Sequence, residues 1–115
     1  MFGSFREINI KEGMPTVPEA TKTLRNELVL ARQQGLAALK VIHGYGSSGT
    51  GGAIKAGLRK LLIQRKREGR IKAVIPGEEW GLFEEASRLA LERCPDLSGD
   101  SDLNQANAGI TIILL

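Results

Sequence analysis

The run His43-Gly44-Tyr45-Gly46-Ser47-Ser48-Gly49-Thr50-Gly51-Gly52 is where chemistry could gather in this chain. Five of the nine residues after His43 are glycines. A backbone without Cβ atoms can aim successive N–H groups at one point and let a phosphate come close. Ser47, Ser48 and Thr50 add hydroxyl donors, and a helix starting here adds unpaired N–H groups and partial positive charge. His43 is the only histidine. An imidazole titrates near neutrality and could protonate the leaving oxygen of a phosphodiester held by the loop. It could equally pack at a strand end and orient the loop. Tyr45 is a candidate for stacking a base. The plain alternative is a surface loop without a ligand.

Two phosphate motifs compare poorly with this run. Gly44-x-Gly46-x-x-Gly49 matches the letters of the dinucleotide fingerprint, but no acid closes the next strand about 20 residues on. A P-loop needs Lys after its second fixed glycine, and Thr50 follows Gly49. Glu12, Glu78 and Glu79 could offer carboxylates to Mg²⁺, although acids at loop ends are ordinarily just solvated. No resident cofactor or metal is expected, and Mg²⁺ enters only with a nuclease reading. Cys94 precedes Pro95 and has no histidine near it in sequence, which argues against a nucleophile. Trp80 reads more naturally as core than as a stacking platform.

The charge distribution supplies a partner for such a loop. The chain has 115 residues and a net charge of +3. Between residues 55 and 72 stand Lys55, Arg59, Lys60, Arg65, Lys66, Arg67, Arg70 and Lys72, against Glu68 alone. From residue 73 onward, Arg88 and Arg93 face eight acids. A basic block of this density attracts polyanions such as nucleic acid, while a solvated helix face is its ordinary alternative. The length suits one domain, and 42% hydrophobic with 25% charged residues suits a globular one. Aromatics are 4%, so the core should be aliphatic. No stretch approaches the roughly 20 apolar residues of a membrane span. No secretory signal is read at the N-terminus. A single cysteine permits neither an intrachain disulfide nor a cysteine zinc cluster, so a cytoplasmic setting is expected.

The elements that position the loop follow from periodicity. Residues 7–10 alternate apolar and polar as a first strand. Thr16-Val17-Pro18-Glu19 has capping-box spacing, and Val17, Ala20, Leu24, Leu28 and Ala31 form one apolar helix face with Gly35 as its stop. Residues 36–42 suit a buried strand ending at His43. Ile54, Leu58, Leu61 and Leu62 mark a second helix with basic residues opposite and Gly69 as its stop. Residues 71–75 read as a third strand, and Leu82, Phe83, Ala86, Leu89 and Ala90 as a third helix. Residues 94–108 read as a loop and 109–115 as a last strand. Strand–helix alternation predicts an α/β fold with parallel strands joined by crossovers. Ligands of such sheets sit at the strands' C-terminal edge. Lys11, after the first strand, and His43, after the second, should therefore emerge together, with Lys55 and Arg59 nearby.

These residues resemble the small MutS-related (Smr) domain family. Val41-Ile42-His43-Gly44-Tyr45-Gly46 is similar to the family's strand ending in His-Gly-x-Gly. Glu19-Ala20 and the run from Ala31 to Gly35 resemble its first helix, and Gly109-Ile110-Thr111-Ile112 its closing Gly-x-Thr strand. The resemblance implies a single two-layer domain of order β-α-β-α-β-(α)-β, like the C-terminal domain of bacterial initiation factor 3. It spans residues 7–115, leaving 1–6 as an N-terminal tail. It also implies DNA or RNA binding, and often endonuclease activity. Two departures stand out. The family's first strand usually ends Leu-Asp-x-His-Gly, groups implicated in cleavage, whereas Asn9 and Lys11 occupy the Asp and His positions here. Asn cannot serve as a carboxylate base, and Lys holds phosphate as a point charge but is a poor base near neutrality. The segment 78–108, with its own helix, is also longer than is common. The expected function is backbone binding through Lys11, the loop from Gly44 to Thr50, Lys55 and Arg59. The alternatives are a nuclease using His43 and a module whose acidic half engages a protein partner.

Overall fold

A computed structural model describes residues 4–44 and 50–115. The order is β1 (Phe5–Asn9), α1 (Val17–Gln33), β2 (Ala38–Ile42), α2 (Thr50–Arg67), β3 (Ala73–Pro76), a 3-10 turn (Gly77–Glu79), α3 (Glu85–Arg93), a second 3-10 turn (Pro95–Gly99) and β4 (Ile110–Leu114). This is the expected α/β domain. β1 begins at Phe5 and pairs it with Ala38, so the ordered body reaches into the stretch 1–6 expected as a tail.

The sheet order is β1-β2-β4-β3. β1 and β2 are parallel, and β4 runs antiparallel to both of its neighbours. The parallel expectation therefore describes the first three strands, and β4 enters against them. The reason lies at one edge. Gly77, just after β3, packs so tightly on the chain leading into β4 that a Cβ there would lie 1.8 Å from the Asn107 carbonyl oxygen. The chain thus returns to the edge where β2 and β3 end, and it can only run backwards from there. Only glycine allows that approach.

α1 and α2 cover one face of the sheet. Leu24, Leu28, Ile54, Leu58 and Leu62 meet Leu39, Val41 and Ile113 there, the aliphatic stripes expected from helical spacing. Thr16 caps α1: its hydroxyl accepts from the Glu19 N–H at 3.3 Å, and Glu19 Oε1 accepts from the Thr16 N–H at 2.9 Å. Gly35 and Gly69 close α1 and α2 at φ +70° and +74°, which any side chain would disfavour.

The other face is covered as well. Trp80, Ala90, Cys94 and Leu97 pack on Ala38, Ile75, Ile110, Ile112 and Leu114. Residues 94–108 are more structured than the expected loop, because they deliver this cover. The third helix starts later than its apolar spacing suggests. The Leu82 N–H donates to Asn104 Oδ1 and its carbonyl accepts from Arg88 Nη1. This takes Leu82 and Phe83 out of the helix and leaves them 51% and 96% exposed.

Lys40 lies on this second face, 2% exposed in the middle of β2. Its ammonium donates to Asp100 Oδ1 at 2.7 Å and Asp102 Oδ2 at 2.6 Å. Trp80 Nε1 donates to Asp100 Oδ2 at 3.0 Å, and Asn107 Nδ2 to Asp102 Oδ1 at 2.9 Å. Burial alone would pull the lysine pKa down, but its hydrogen bonds to the two carboxylates outweigh this and raise it. Lys40 and Asn107 in turn hold the Asp102 carboxyl below its usual range. A buried charge stripped of its partner is costly. Lys40→Met strands Asp100 and is expected to lose about 3–5 kcal/mol of stability in urea unfolding at neutral pH. In the wild type this contribution is present between about pH 4 and about pH 10. It declines as pH falls through the depressed aspartate pKa or rises through the elevated lysine pKa. A Lys40→Met protein as stable as the wild type contradicts this account.

Candidate functional site

His43 and Gly44 follow directly on β2, and both backbone N–H groups donate to the Gly109 carbonyl at 3.0 Å. The antiparallel entry of β4 therefore anchors the start of the glycine run. The His43 ring is 2% exposed. Its Nδ1 is 2.6 Å from the Gly44 carbonyl and its Nε2 is 2.9 Å from Thr111 Oγ1. A carbonyl only accepts, so Nδ1 carries the proton. Nε2 then accepts from the Thr111 hydroxyl. Burial lowers the imidazole pKa most; the hydrogen bond to Gly44 works the other way, and the charges of Lys55 and Arg59 lower it further. The ring is neutral at pH 7.

Gly44 has φ +73°, and a Cβ there would lie 3.5 Å from Lys11 Cδ. The Lys11 stem thus crosses the bend that follows His43, as strand order predicted. A short turn carries Lys11: the Glu12 N–H donates to Asn9 Oδ1 at 3.2 Å and the Met14 N–H to the Lys11 carbonyl at 3.2 Å. The Asn9 side chain braces this turn. Lys11 is exposed and has no ion-pair partner among the described residues.

Lys55 and Arg59 lie on the second and third turns of α2. With Gly52, Ala56, Lys60, Ile63, Gln64 and Arg67 they line an open groove of about 640 Å³ along the helix. The buried stripe of α2 holds Ile54, Leu58, Leu61 and Leu62 against the sheet, and this turns the cations outward. Tyr45, Gly46, Ser47, Ser48 and Gly49 lie outside the described residues, and Thr50 is described only as the first residue of α2.

Of the remaining candidates, Trp80 is 1% exposed and belongs to the core. Cys94 is fully buried, and burial raises its thiol pKa. Among the described residues no cluster of three or more His, Cys, Asp or Glu is arranged to hold a metal ion. No described helix is long and apolar enough to cross a membrane. Two contacts escaped sequence reasoning: the Thr111 hydroxyl on the histidine, and Glu78 on Lys55 at 3.1 Å. A lone threonine in the apolar run Ile110-Thr111-Ile112-Ile113 was the available signal for the first. Nothing local signals the second.

The Smr domain family model matches residues 12–81. The fold is similar to the crystal structure of the Smr domain of Thermus thermophilus MutS2, with a TM-score of 0.59 and 21% identity over 96% of each chain. No curated protein matches the chain significantly. The family match stops short of α3, whereas the likeness of fold extends over nearly the whole chain.

A buried histidine with a lowered pKa binds fewer protons folded than unfolded. Stability attributable to His43 is therefore present above the ordinary histidine pKa, about 6.5, and is lost as pH falls below it. Denaturant titrations from pH 5 to 8 should show this slope in the wild type and not in His43→Gln. Thr111→Val leaves Nε2 without its donor and should cost about 1–3 kcal/mol.

Proposed function

This chain belongs to the Smr domain family, and from that premise we propose that it binds the sugar–phosphate backbone of DNA or RNA. The observation that carries the reading is the meeting of Lys11 with the His43–Gly44 bend beside the basic groove of α2. Lys11, Lys55 and Arg59 supply point charges for phosphates, and Lys60 and Arg67 extend the track along the helix. The glycine run from Gly44 to Gly49, with Ser47, Ser48, Thr50 and the start of α2, is assigned the innermost phosphate. Tyr45 is assigned a stacking contact. Contacts of this kind position a polymer without reading its bases.

His43 acts here as a positioning residue. With both ring nitrogens engaged and the ring neutral, it sets the direction of the chain leaving β2 rather than delivering a proton to solvent-facing substrate. Asn9 and Lys11 support the same view, because neither supplies a carboxylate or an imidazole for cleavage.

Phosphate contacts by Lys11, Lys55 and Arg59 alone predict an affinity loss of at least about twentyfold to fortyfold between 50 and 200 mM salt, read by fluorescence anisotropy on a short labelled oligonucleotide. Lys55→Ala should flatten the salt dependence by about one contact. A titration indifferent to salt removes the proposal. Supercoiled plasmid or structured RNA incubated with Mg²⁺ should remain intact. Nicking by the wild type that disappears in His43→Ala would replace the binding reading with a nuclease one.

A further inference from the structure

The cations on α2 already hold an anion in the folded chain. Glu78, one residue beyond the tight Gly77–Asn107 approach, turns its side chain back across the sheet edge. Its Oε2 is 3.1 Å from Lys55 Nζ and its Oε1 is 3.8 Å from Arg59 Nη2. One carboxylate thus meets two cations through its two oxygens, the arrangement a phosphate would adopt between them. The backbone that carries it is fixed, because Gly77 is buried against the Asn107 and Ile110 carbonyls. The side chain is 42% exposed, so it can swing into solvent without disturbing the core. Exposed ion pairs are weak, which makes this one displaceable by a polymer that brings several phosphates at once.

The other acids nearby are differently disposed. Asp100 and Asp102 are bonded to Lys40 on the far face of the sheet. Glu79, the next residue, is exposed and pairs with none of the α2 cations among the described residues. Burial would raise the Glu78 carboxyl, but its own backbone hydrogen bond and the Lys55 and Arg59 charges hold it below the usual range. The group is therefore ionised throughout the neutral region.

We propose that Glu78 is an internal competitor at the phosphate track: its carboxylate occupies the Lys55–Arg59 position and must leave before a nucleic-acid phosphate can seat there. The proposal rests on the backbone-binding reading above, and it makes this chain a deliberately weakened binder. The cost of displacement falls on every anion that uses the two cations.

The test compares wild type, Glu78→Gln and Glu79→Gln, the last removing the same charge without touching Lys55 or Arg59. Two probes are used: a labelled 12-nucleotide strand followed by anisotropy, and inorganic pyrophosphate followed by NMR shifts of the Lys55 and Arg59 side chains. Glu78→Gln should bind both probes three- to tenfold more tightly than wild type, while Glu79→Gln changes less than twofold. Its affinity for the strand should also fall more steeply with salt, by up to about one contact. Glu78→Asp, which keeps the charge but withdraws it by one methylene, should gain less than Gln and serves if Gln unfolds. If neither protein binds the strand but pyrophosphate binding rises in Glu78→Gln, the nucleic-acid reading falls and the competitor survives for another polyanion. Equal gains in Glu78→Gln and Glu79→Gln, or no gain for either probe, would overturn the proposal.

Discussion

Lys40 lies at 2% exposure in the strand that joins both halves of the sheet, and its charge has to be met inside the fold. Asp100 and Asp102 meet it, so the segment that carries them must fold back over the second face. That segment brings Trp80 and Leu97 down as cover and ends beside Gly77, where the close backbone approach directs β4 into the sheet. β4 then supplies the Gly109 carbonyl and the Thr111 hydroxyl that fix His43. An electrostatic demand on one face of the sheet thereby reaches the bend on its edge, through a continuous set of hydrogen bonds.

The same arrangement separates the charges of the chain. A basic helix and an acidic C-terminal part could have paired into one neutral surface. Instead, two aspartates are spent on a buried lysine, and among the described residues Glu78 is the one acid of this segment that forms an ion pair with the cations of α2. The groove lined by Lys60, Gln64 and Arg67 keeps its positive character as a result. Fields of this kind extend about a Debye length, some 8–10 Å, at ordinary ionic strength, enough to draw a polyanion to the helix.

The site combines rigid and adaptable parts. His43 and Gly44 are held by backbone and ring hydrogen bonds. Lys11, by contrast, rides on a short turn with positive φ at Gly13 and Met14, and its ammonium is exposed. A rigid bend with long flexible cations around it suits a ligand recognised by charge and spacing rather than by shape.

Much of the fold was legible in short-range patterns. The capping box at Thr16, the helix stops at Gly35 and Gly69, the apolar stripes of α1 and α2 and the strand ending at His43 all follow from local periodicity and backbone freedom. Because strand order obeys handedness rules, the meeting of Lys11 with the His43–Gly44 bend was legible too. The limits of α3 were less so: Leu82 and Phe83 carry the right apolar character, but Asn104, 22 positions away, and Arg88, six positions on, capture the Leu82 backbone.

By itself the amino-acid sequence determined the element types, the aliphatic core, the basic helix and the glycine-rich run after His43, since each depends on residues within one or two turns of one another. Only the tertiary structure decided the antiparallel place of β4, the two aspartates on Lys40, the Thr111 hydroxyl on His43, and the carboxylate that sits on Lys55. Those contacts join residues 23 to 68 positions apart, and charge pairing and sheet registry at that separation have no local signature.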